Sequence, residues 1–380
     1  MAQETWNHDT LSELPRRTPA PMTPGRRSLI LAMFIIVLLS AGTWLFWQTS
    51  QSRVEPFATG LNQPRGMAFD AAGNLYVAEA GAAEPGEDEW VSPSTNHSSR
   101  VLRITPGREV TTVLDGLPFT HYEIAGDVGA TDVQVLGDTV YVLTGEGYDD
   151  QLSRAVLRVS PGEPPQRIAN LLTFAFATTP AAEQLASGAV PSNPYAMAVA
   201  PDKEVLYITD GASGSVLSVT LDGITRGFAT LPNMPPLTGL TFGPEGQLYV
   251  AMLGALPLAR GSGAIWVADG HGHLSLAAAE LTLPIDVVFD AEGAMYVLEF
   301  SDVLQPTKPY TAGTGRLLRI AKDGAQTIVL DRLNYPTAMI FSRTGDLYIA
   351  VHGAFSAPGQ GMIVKVPCRA LGSSGTCPRP

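Results

Sequence analysis

The chain has 380 residues and carries 24 lysines and arginines against 36 aspartates and glutamates, a formal net charge of -12. No basic cluster follows residue 27, which argues against nucleic acid or an anionic lipid surface as partner of the folded part. The 38 glycines and 30 prolines are spread along the chain, which is typical of many short strands and turns.

The N-terminal region predicts a membrane anchor. Residues 28–47 contain no charged side chain, and a run of this length spans the ~30 Å hydrocarbon core as a helix. Arginines precede the segment, whereas only Arg53 follows it closely, so we expect a cytoplasmic N-terminus and an exported remainder at the cell membrane. Secretion after cleavage of a signal peptide is the alternative.

Short segments flank the anchor and end the chain. We expect residues 1–27 to form a disordered cytoplasmic tail, residues 48–52 a short linker and residues 371–380 a C-terminal tail. Cys368 and Cys377 are the only cysteines. In an oxidising exterior they are predicted to pair as a disulfide, with two free thiols as the alternative.

One hairpin pattern recurs six times after the anchor. In each copy an apolar strand, a tight turn and a strand resembling Leu-Tyr-Val follow one another, as in GMAFDAAGNLYVAE at 66–79. The copies centre on Tyr76, Tyr141, Tyr207, Tyr249, Tyr296 and Tyr348. Turns such as Asp70 to Gly73 and Asp290 to Gly293 supply a side-chain acceptor first and a residue tolerant of positive φ last.

A second strand pair follows the hairpin, as at 100–117, 155–172 and 316–333. Four antiparallel strands in each of six units predict an all-β fold, a six-bladed β-propeller over residues 53–370, preceded by one transmembrane helix. The sixth unit lacks a fourth strand, whereas residues 53–61 form an orphan strand before the first hairpin. We therefore expect residues 53–61 to complete the last blade.

The long connections predict where a site lies. With the strands of a blade lettered A to D from the axis outward, the D-to-A and B-to-C connections share one face. This face carries the insertions at 80–99, 173–193 and 300–315, and we call it the long-loop face. Long loops on one rim of a rigid scaffold usually carry function.

Alignment of the six strand A starts gives one informative column: Gly66, Asp132, Ala196, Gly239, Asp286 and Ala338. Asp132 and Asp286 lie three blades apart and face each other across the channel. With Asn193 they are candidates to hold Ca²⁺ or another divalent cation, or a polar ligand. The alternative is that each aspartate caps local backbone N–H groups. Arg65, Asn193 and Tyr195 add a cation, an amide and a phenol to this rim.

Carboxylates also alternate at the ends of strand B, at Glu79, Asp210 and Glu299. We interpret them as structural groups that accept backbone N–H groups of the B-to-C loops. His97 and His121 lie in rim insertions and can reach the same face. The sequence shows no nucleophile elbow, metal-binding Cys-His cluster or phosphate-binding glycine loop, which argues against an enzyme.

Residues 62–79 and the segment Ser192-Asn193-Pro194-Tyr195, followed by AMAVAPD, resemble the ScyD/ScyE family of exported propellers, relatives of the NHL and SMP-30 type repeats. The resemblance covers about residues 53–370 and implies the fold and an extracytoplasmic setting. Lactonases of the SMP-30 type bind a divalent cation through a first-blade glutamate, asparagines and an aspartate. Asn193 and Asp286 fall near those positions, but Arg65 stands where the glutamate is expected.

Quinoprotein sugar dehydrogenases share the start of the hairpin and a glutamate like Glu79, but this chain has no His-x-Gly-Gly segment. We therefore expect a membrane-anchored propeller that binds a small molecule or an exported protein through its long-loop face, without catalysis. A metal-dependent hydrolase of a lactone or ester is the alternative, and a quinoprotein dehydrogenase ranks third.

Overall fold

In the computed structural model, which describes residues 54–83, 94–122, 126–149, 151–178, 192–304 and 310–371, strands β1 to β25 form six antiparallel sheets. The predicted all-β, six-bladed propeller with four-stranded antiparallel blades is confirmed. Apolar residues of strands A to C are buried between neighbouring blades, because each sheet is covered on both faces.

The first three blades follow chain order from the axis outward. Blade 1 consists of β2 (Pro64–Phe69), β3 (Leu75–Glu79), β4 (Ser94–Ile104), β5 (Val110–Tyr122) and β6 (Gly126–Val128). Blade 2 consists of β7 (Ala130–Leu136), β8 (Thr139–Thr144), β9 (Ala155–Val159) and β10 (Gln166–Asn170). Blade 3 consists of β11 (Pro194–Val199), β12 (Val205–Asp210), β13 (Ser215–Thr220) and β14 (Thr225–Thr230).

The last three blades repeat this order, with one exchange in the sixth. Blade 4 consists of β15 (Leu237–Phe242), β16 (Leu248–Met252), β17 (Gly263–Ala268) and β18 (Leu274–Leu281). Blade 5 consists of β19 (Pro284–Phe289), β20 (Met295–Glu299), β21 (Gly315–Ile320) and β22 (Gln326–Leu333). Blade 6 consists of β23 (Ala338–Phe341), β24 (Leu347–Val351), β25 (Gly361–Val366) and β1 (Glu55–Leu61).

Strand β1 closes the ring of blades. It pairs antiparallel with β25, from Glu55 opposite Lys365 to Leu61 opposite Gly361. The first strand of the propeller and its last blade therefore share one ladder of hydrogen bonds, which leaves β25 with no open edge.

The tight turns follow the predicted chemistry. Asp70 Oδ1 accepts the N–H groups of Ala72 at 2.9 Å and Asn74 at 2.8 Å, and Gly73 has a φ of 83°. Asp290 and Gly293 form the same arrangement in blade 5. The prediction that an aspartate starts and a glycine ends these turns is confirmed.

Blade 1 departs from the expected four strands. Strand β4 begins at Ser94, inside the segment expected to be a loop, and its first residues pair with the end of β5. Strand β6 then pairs with β5, with His121 opposite Asp127. The polar residues Ser94 to Ser99 carry no apolar alternation, because the ladder here extends beyond the core at the long-loop face.

A second departure lies between blades 2 and 3. The D-to-A connection, expected to be a loop, begins with helix α1 (Leu171–Thr178), which buries Leu171 and Ala175. Asn170 Oδ1 accepts the N–H of Thr173 at 2.9 Å and thereby caps the start of the helix.

Several predictions fall on residues outside the described ranges. They concern the cytoplasmic tail, the anchor over residues 28–47, the linker, most of the C-terminal tail and Cys377, and they stay predictions. Within the described ranges no helix is long and apolar enough to cross a membrane. Cys368, in a short 3₁₀ helix (Cys368–Ala370), is buried and disulfide-bonded.

Removal of the Phe57 side chain should weaken the closure of the ring. Phe57 on β1 is 8% exposed and its ring meets that of Tyr348 edge-on, 4.9 Å between centroids. We expect Phe57→Ala to lower the free energy of unfolding by about 3–5 kcal/mol. Thr59→Ala, at an exposed position of the same strand, should change it by less than ~0.5 kcal/mol. Chemical denaturation measures both, and equal effects would show that β1 does not depend on this contact.

Candidate functional site

A cavity of about 280 Å³ lies along the propeller axis. All six A strands line it, so its wall combines backbone, small side chains and a few polar groups. The polar side chains that the sequence singled out here are Arg65, Asp132, Tyr195 and Asp286. The structure thus brings four of the five predicted rim residues to one cavity, and Asn193 is not part of its lining.

The Asp132 carboxylate connects three consecutive blades. Its Oδ1 accepts the N–H of Val133 at 2.7 Å, and its Oδ2 accepts the N–H of Met197 in blade 3 at 2.6 Å. On its other side lies Gly66 of blade 1, where a methyl group would overlap the carboxylate. The glycine in the preceding blade is therefore required by the aspartate.

Asp286 repeats this arrangement three blades further on. Its Oδ1 accepts the N–H of Val287 at 2.8 Å, and its Oδ2 accepts the N–H of Met339 at 2.7 Å. Gly239 leaves room for it as Gly66 does for Asp132. In the aligned column Gly-Asp-Ala, Gly-Asp-Ala, each aspartate thus bonds its own blade to the next blade and packs against the glycine of the blade before.

Burial changes the protonation of both groups. Asp132 is 6% and Asp286 9% exposed. Desolvation raises the pKa of Asp132 well above its ordinary value, against the opposing effect of its two backbone hydrogen bonds. It raises the pKa of Asp286 to about 7. The channel therefore carries less negative charge at neutral pH than two ordinary aspartates would give it.

Arg65 is half-buried at the cavity wall, and a backbone group of blade 1 holds its side chain in place. Its Nη2 donates to the backbone carbonyl of Asp127 at 2.6 Å, and its Nε is buried without an acceptor. In the part of the chain that the structure describes, Arg65 takes part in no ion pair. Desolvation lowers the pKa of Arg65, but an arginine stays protonated.

Tyr195 lies beside Arg65. Its hydroxyl is hydrogen-bonded to the Arg65 side chain and lies 3.4 Å from the carbonyl oxygen of Thr337 in blade 6. Burial raises the pKa of Tyr195 above its ordinary value, so the phenol is a neutral donor. Arg65 and Tyr195 together present a cation and a hydroxyl to the cavity.

The strand-end carboxylates make different contacts. Glu79 accepts the N–H of Asn62 at 2.7 Å and bonds to Arg100. Glu299 accepts the N–H of Thr282 at 2.6 Å and bonds to Arg316 at 2.8 Å. The expected donors were backbone groups of the B-to-C loops, but a glutamate reaches across to the D-to-A connection, because both connections share this face.

Asp210 has a shorter side chain and bonds to both connections. It accepts the N–H groups of Asn193 at 3.1 Å, Ala212 at 3.0 Å and Ser213 at 3.1 Å. Asn193 in turn accepts the N–H of Gly211 at 2.9 Å through its backbone carbonyl. The backbone of Asn193 therefore fastens the end of strand β12.

The predicted cation ligands form no cluster with other metal-binding side chains. No group of three His, Cys, Asp or Glu residues able to hold a metal occurs in the described ranges. Both carboxyl oxygens of Asp132 and of Asp286 accept backbone N–H groups, and Asn193 lies outside the cavity lining. These residues are a poor fit to a Ca²⁺ site, which takes 6–8 oxygen ligands.

The sequence did not reveal how Arg65 is supported. Asp127 Oδ1 lies 2.5 Å from His121 Nδ1, and its Oδ2 bonds to Gln63 Nε2. His121 was expected on this face, but Asp127 lies in β6, three residues long and without an apolar pattern. The one available signal was the extra length of chain between the fourth strand of blade 1 and the start of blade 2.

Comparisons with known proteins give the fold. No protein-family model matches the chain, and no curated protein matches it in sequence. Similar solved structures include a gluconolactonase from Xanthomonas campestris, with a TM-score of 0.51, 16% identity and coverage of 83% of this chain and 88% of that chain. These likenesses show the propeller fold.

Two further solved structures also show the propeller fold of this chain. A protein of unknown function from Bacteroides thetaiotaomicron has a TM-score of 0.53 and 15% identity, covering 81% of this chain and 70% of that chain. A candidate oxidoreductase (glucose dehydrogenase) from Thermus thermophilus has a TM-score of 0.53 and 16% identity, covering 82% and 99%. At these identities the shared architecture carries no activity across.

Replacement of Asp286 by asparagine should loosen blades 5 and 6. One of the two N–H groups would then face an amide NH₂ instead of an oxygen, so we expect a loss of about 1–3 kcal/mol in the free energy of unfolding. Asp323→Asn, in an exposed turn with a single backbone donor, should change it by less than ~0.5 kcal/mol.

The same variant should alter the pH dependence of stability. Because the folded-state pKa of Asp286 is raised to about 7, the native state holds this proton more tightly than the unfolded state. The contribution of this proton to the free energy of unfolding is complete below the unfolded pKa of about 4 and is lost as the pH rises through about 7. The free energy of unfolding of the wild type should therefore exceed that of Asp286→Asn by less and less as the pH rises from about 4 to about 7. A difference that grows with pH would show that Asp286 is not protonated in this range.

Proposed function

We propose that the protein is a non-catalytic, ligand-binding propeller of the cell membrane that takes a small molecule at the channel mouth on its long-loop face. In this proposal residues 28–47 anchor the chain and the propeller lies outside the cytoplasm. An assignment to the ScyD/ScyE family would agree with this setting, and it too remains a proposal.

The observation that carries the proposal is the axial cavity. Its volume of about 280 Å³ is just below the range for small-molecule pockets, roughly 300–1,000 Å³, so it suits a small ligand. Its wall combines apolar and polar groups, and two of the polar side chains, Arg65 and Tyr195, lie next to each other on it. A small polar molecule that enters the channel would meet these two side chains.

The roles of the described carboxylates support binding over chemistry. Asp132 and Asp286 hold the inner strands together, and Glu79, Asp210 and Glu299 hold the loops. A general acid or base must be within hydrogen-bonding reach of a substrate and free to exchange its proton. Among the described residues of the cavity wall, the carboxyl groups are instead committed to backbone donors.

Obstruction of the channel should abolish ligand binding without unfolding the protein. Ala196 lines the cavity, is half-buried and also packs against an apolar cluster of blades 3 and 4, so Ala196→Phe adds a ring at the channel wall. We expect at least one compound from a panel of small sugars, organic acids and amines to raise the melting temperature of the full-length wild type and not that of Ala196→Phe. The control is Ala277→Phe on the exposed outer strand β18, which should respond like the wild type.

Thermal-shift assays with calorimetric titration of the hits measure this. A ligand at 100 times its dissociation constant should add ~2.7 kcal/mol of stability. The proposal would be wrong if no compound stabilised the wild type, or if Ala196→Phe responded equally.

The alternative function is a divalent-metal-dependent lactonase or esterase, with Asp132, Asn193 and Asp286 as the ligands. Asp132 and Asp286 do face the same cavity, which favours this alternative over the quinoprotein dehydrogenase. The metal-dependent alternative is disfavoured because the oxygens of Asp132 and Asp286 accept backbone N–H groups and Asn193 is not part of the lining.

Calcium should therefore leave the protein unchanged. We expect no rise in melting temperature when Ca²⁺ is added to the full-length protein, beyond the change with NaCl of equal ionic strength. A rise matching the ~2.7 kcal/mol of a saturated site, lost in Asp286→Asn, would instead favour the metal-dependent hydrolase.

A further inference from the structure

We infer that the corner of the channel formed by Arg65 and Tyr195 is a subsite for a carboxylate, so that the small molecule bound here is an organic acid. The inference rests on the proposed function and specifies the chemical class of its ligand. Three observations carry it: the salt bridges of the other arginines at the long-loop face, the contact of Asp127 with Arg65, and the charge of the cavity.

The other enclosed arginines of the long-loop face each pair with a carboxylate. Arg100 bonds to Glu79, and Arg316 lies 2.5 Å from Glu299 and 3.2 Å from Asp302. Arg154, only 5% exposed, lies 3.3 Å from Glu146 and donates to two backbone carbonyls. Arg65 bonds to one backbone carbonyl and one phenol, and in the described ranges it forms no salt bridge, although the nearby Asp127 interacts with its charge.

An enclosed guanidinium without a counter-ion is unfavourable. Removal of a charge from water is offset in proteins by pairing with an opposite charge. A guanidinium also binds carboxylates in preference to neutral groups, because its planar N–H donors match two carboxylate oxygens. A bound organic acid would supply the partner that the fold gives to Arg100, Arg154 and Arg316.

Asp127 fixes Arg65 through its backbone and interacts with its charge without forming a salt bridge. It offers Arg65 its backbone carbonyl, whereas its carboxylate bonds to His121 and Gln63. Gln63 is 2% exposed. The guanidinium is therefore held in one orientation while its charge stays available to a ligand, which is the arrangement expected of a preorganised binding group.

The remaining charged groups of the cavity do not compete for Arg65. The oxygens of Asp132 and Asp286 accept backbone N–H groups of blades 2, 3, 5 and 6. Neither forms an ion pair with Arg65 in the described chain. Since both carboxyl groups have raised pKa values, they repel an incoming anion less than ordinary aspartates would.

The test uses three carboxylates with their neutral amides. Acetate, glycolate and benzoate are compared with acetamide, glycolamide and benzamide on the full-length protein, and ligand-observed NMR titration gives the dissociation constants. We expect the wild type to bind at least one acid about tenfold or more tightly than its amide, the discrimination expected of a charged donor.

The Arg65 variants then locate the effect. Arg65→Gln should weaken binding of that acid by about tenfold to a hundredfold and binding of the amide by less than about twofold. Arg226→Gln, on the exposed outer strand β14, is the matched control and should bind like the wild type. If Arg65→Gln does not fold, two milder variants replace it: Arg65→Lys retains the charge, and Tyr195→Phe retains the ring. Each should weaken binding of the acid and leave binding of the amide unchanged.

The outcomes separate the two proposals. Acids and amides that bind equally, with both lost in Ala196→Phe, would overturn the carboxylate subsite and leave the proposed binding function intact. Acid binding that survives in Arg65→Gln, or no acid binding at millimolar concentration, would also overturn the subsite. Acid binding that is unaffected by Ala196→Phe would place the ligand elsewhere and overturn the channel proposal itself.

Discussion

The propeller depends on two buried carboxylates at its axis. Neighbouring blades share no ladder of strands, so the inner strands must be held by side chains. Asp132 and Asp286 each accept an N–H from their own blade and one from the next, and each fills the space left by a glycine in the blade before. The two carboxylates thus bond blade 2 to blade 3 and blade 5 to blade 6, and they pack against blades 1 and 4. Elsewhere hydroxyl groups connect neighbouring A strands, as where Thr337 bonds to the carbonyl of Pro64 at 2.7 Å.

The backbone hydrogen bonds of Asp132 and Asp286 determine which residues of the channel are available to bind a ligand. A carboxylate whose two oxygens hold the strands cannot turn toward a ligand without weakening the ring. One position earlier in the A strands the side chains differ from blade to blade. Thr238 and Thr337 join neighbouring blades, whereas Arg65 and Tyr195 face the cavity. The structure therefore separates the groups that hold the propeller from those available to a ligand.

The sequence predicted the propeller because the hairpin repeats six times and its turns require particular residues, such as Asp70 and Gly73. Alignment of the copies also located Asp132, Asp286, Arg65 and Tyr195 at one cavity. The alignment did not show whether Asp132 bonds to the backbone of a neighbouring blade or binds a ligand, since its donor, the N–H of Met197, lies 65 positions further along the chain. Asp127 was missed because three residues of β6 carry no periodicity. Its contacts to Gln63 and Arg65 join segments that only the folded blade brings together.

The start of strand A in blade 1 differs from its counterparts in one physical respect. Gln63, Leu283 and Tyr335 all precede a proline with φ values of 52°, 52° and 39°, so the left-handed backbone belongs to the fold and not to a site. Leu283 and Tyr335 pack in the core, but Gln63 is a buried amide whose Oε1 has no donor. Two residues later Arg65 is a cation that forms no salt bridge with any described residue, and its buried Nε has no acceptor. Buried polar atoms without a partner occur elsewhere in the described chain as well, for example at Ser153 and Trp266, but Arg65 is the one that also lines the channel. A ligand at the first-blade wall would complete the bonding that Arg65 leaves open.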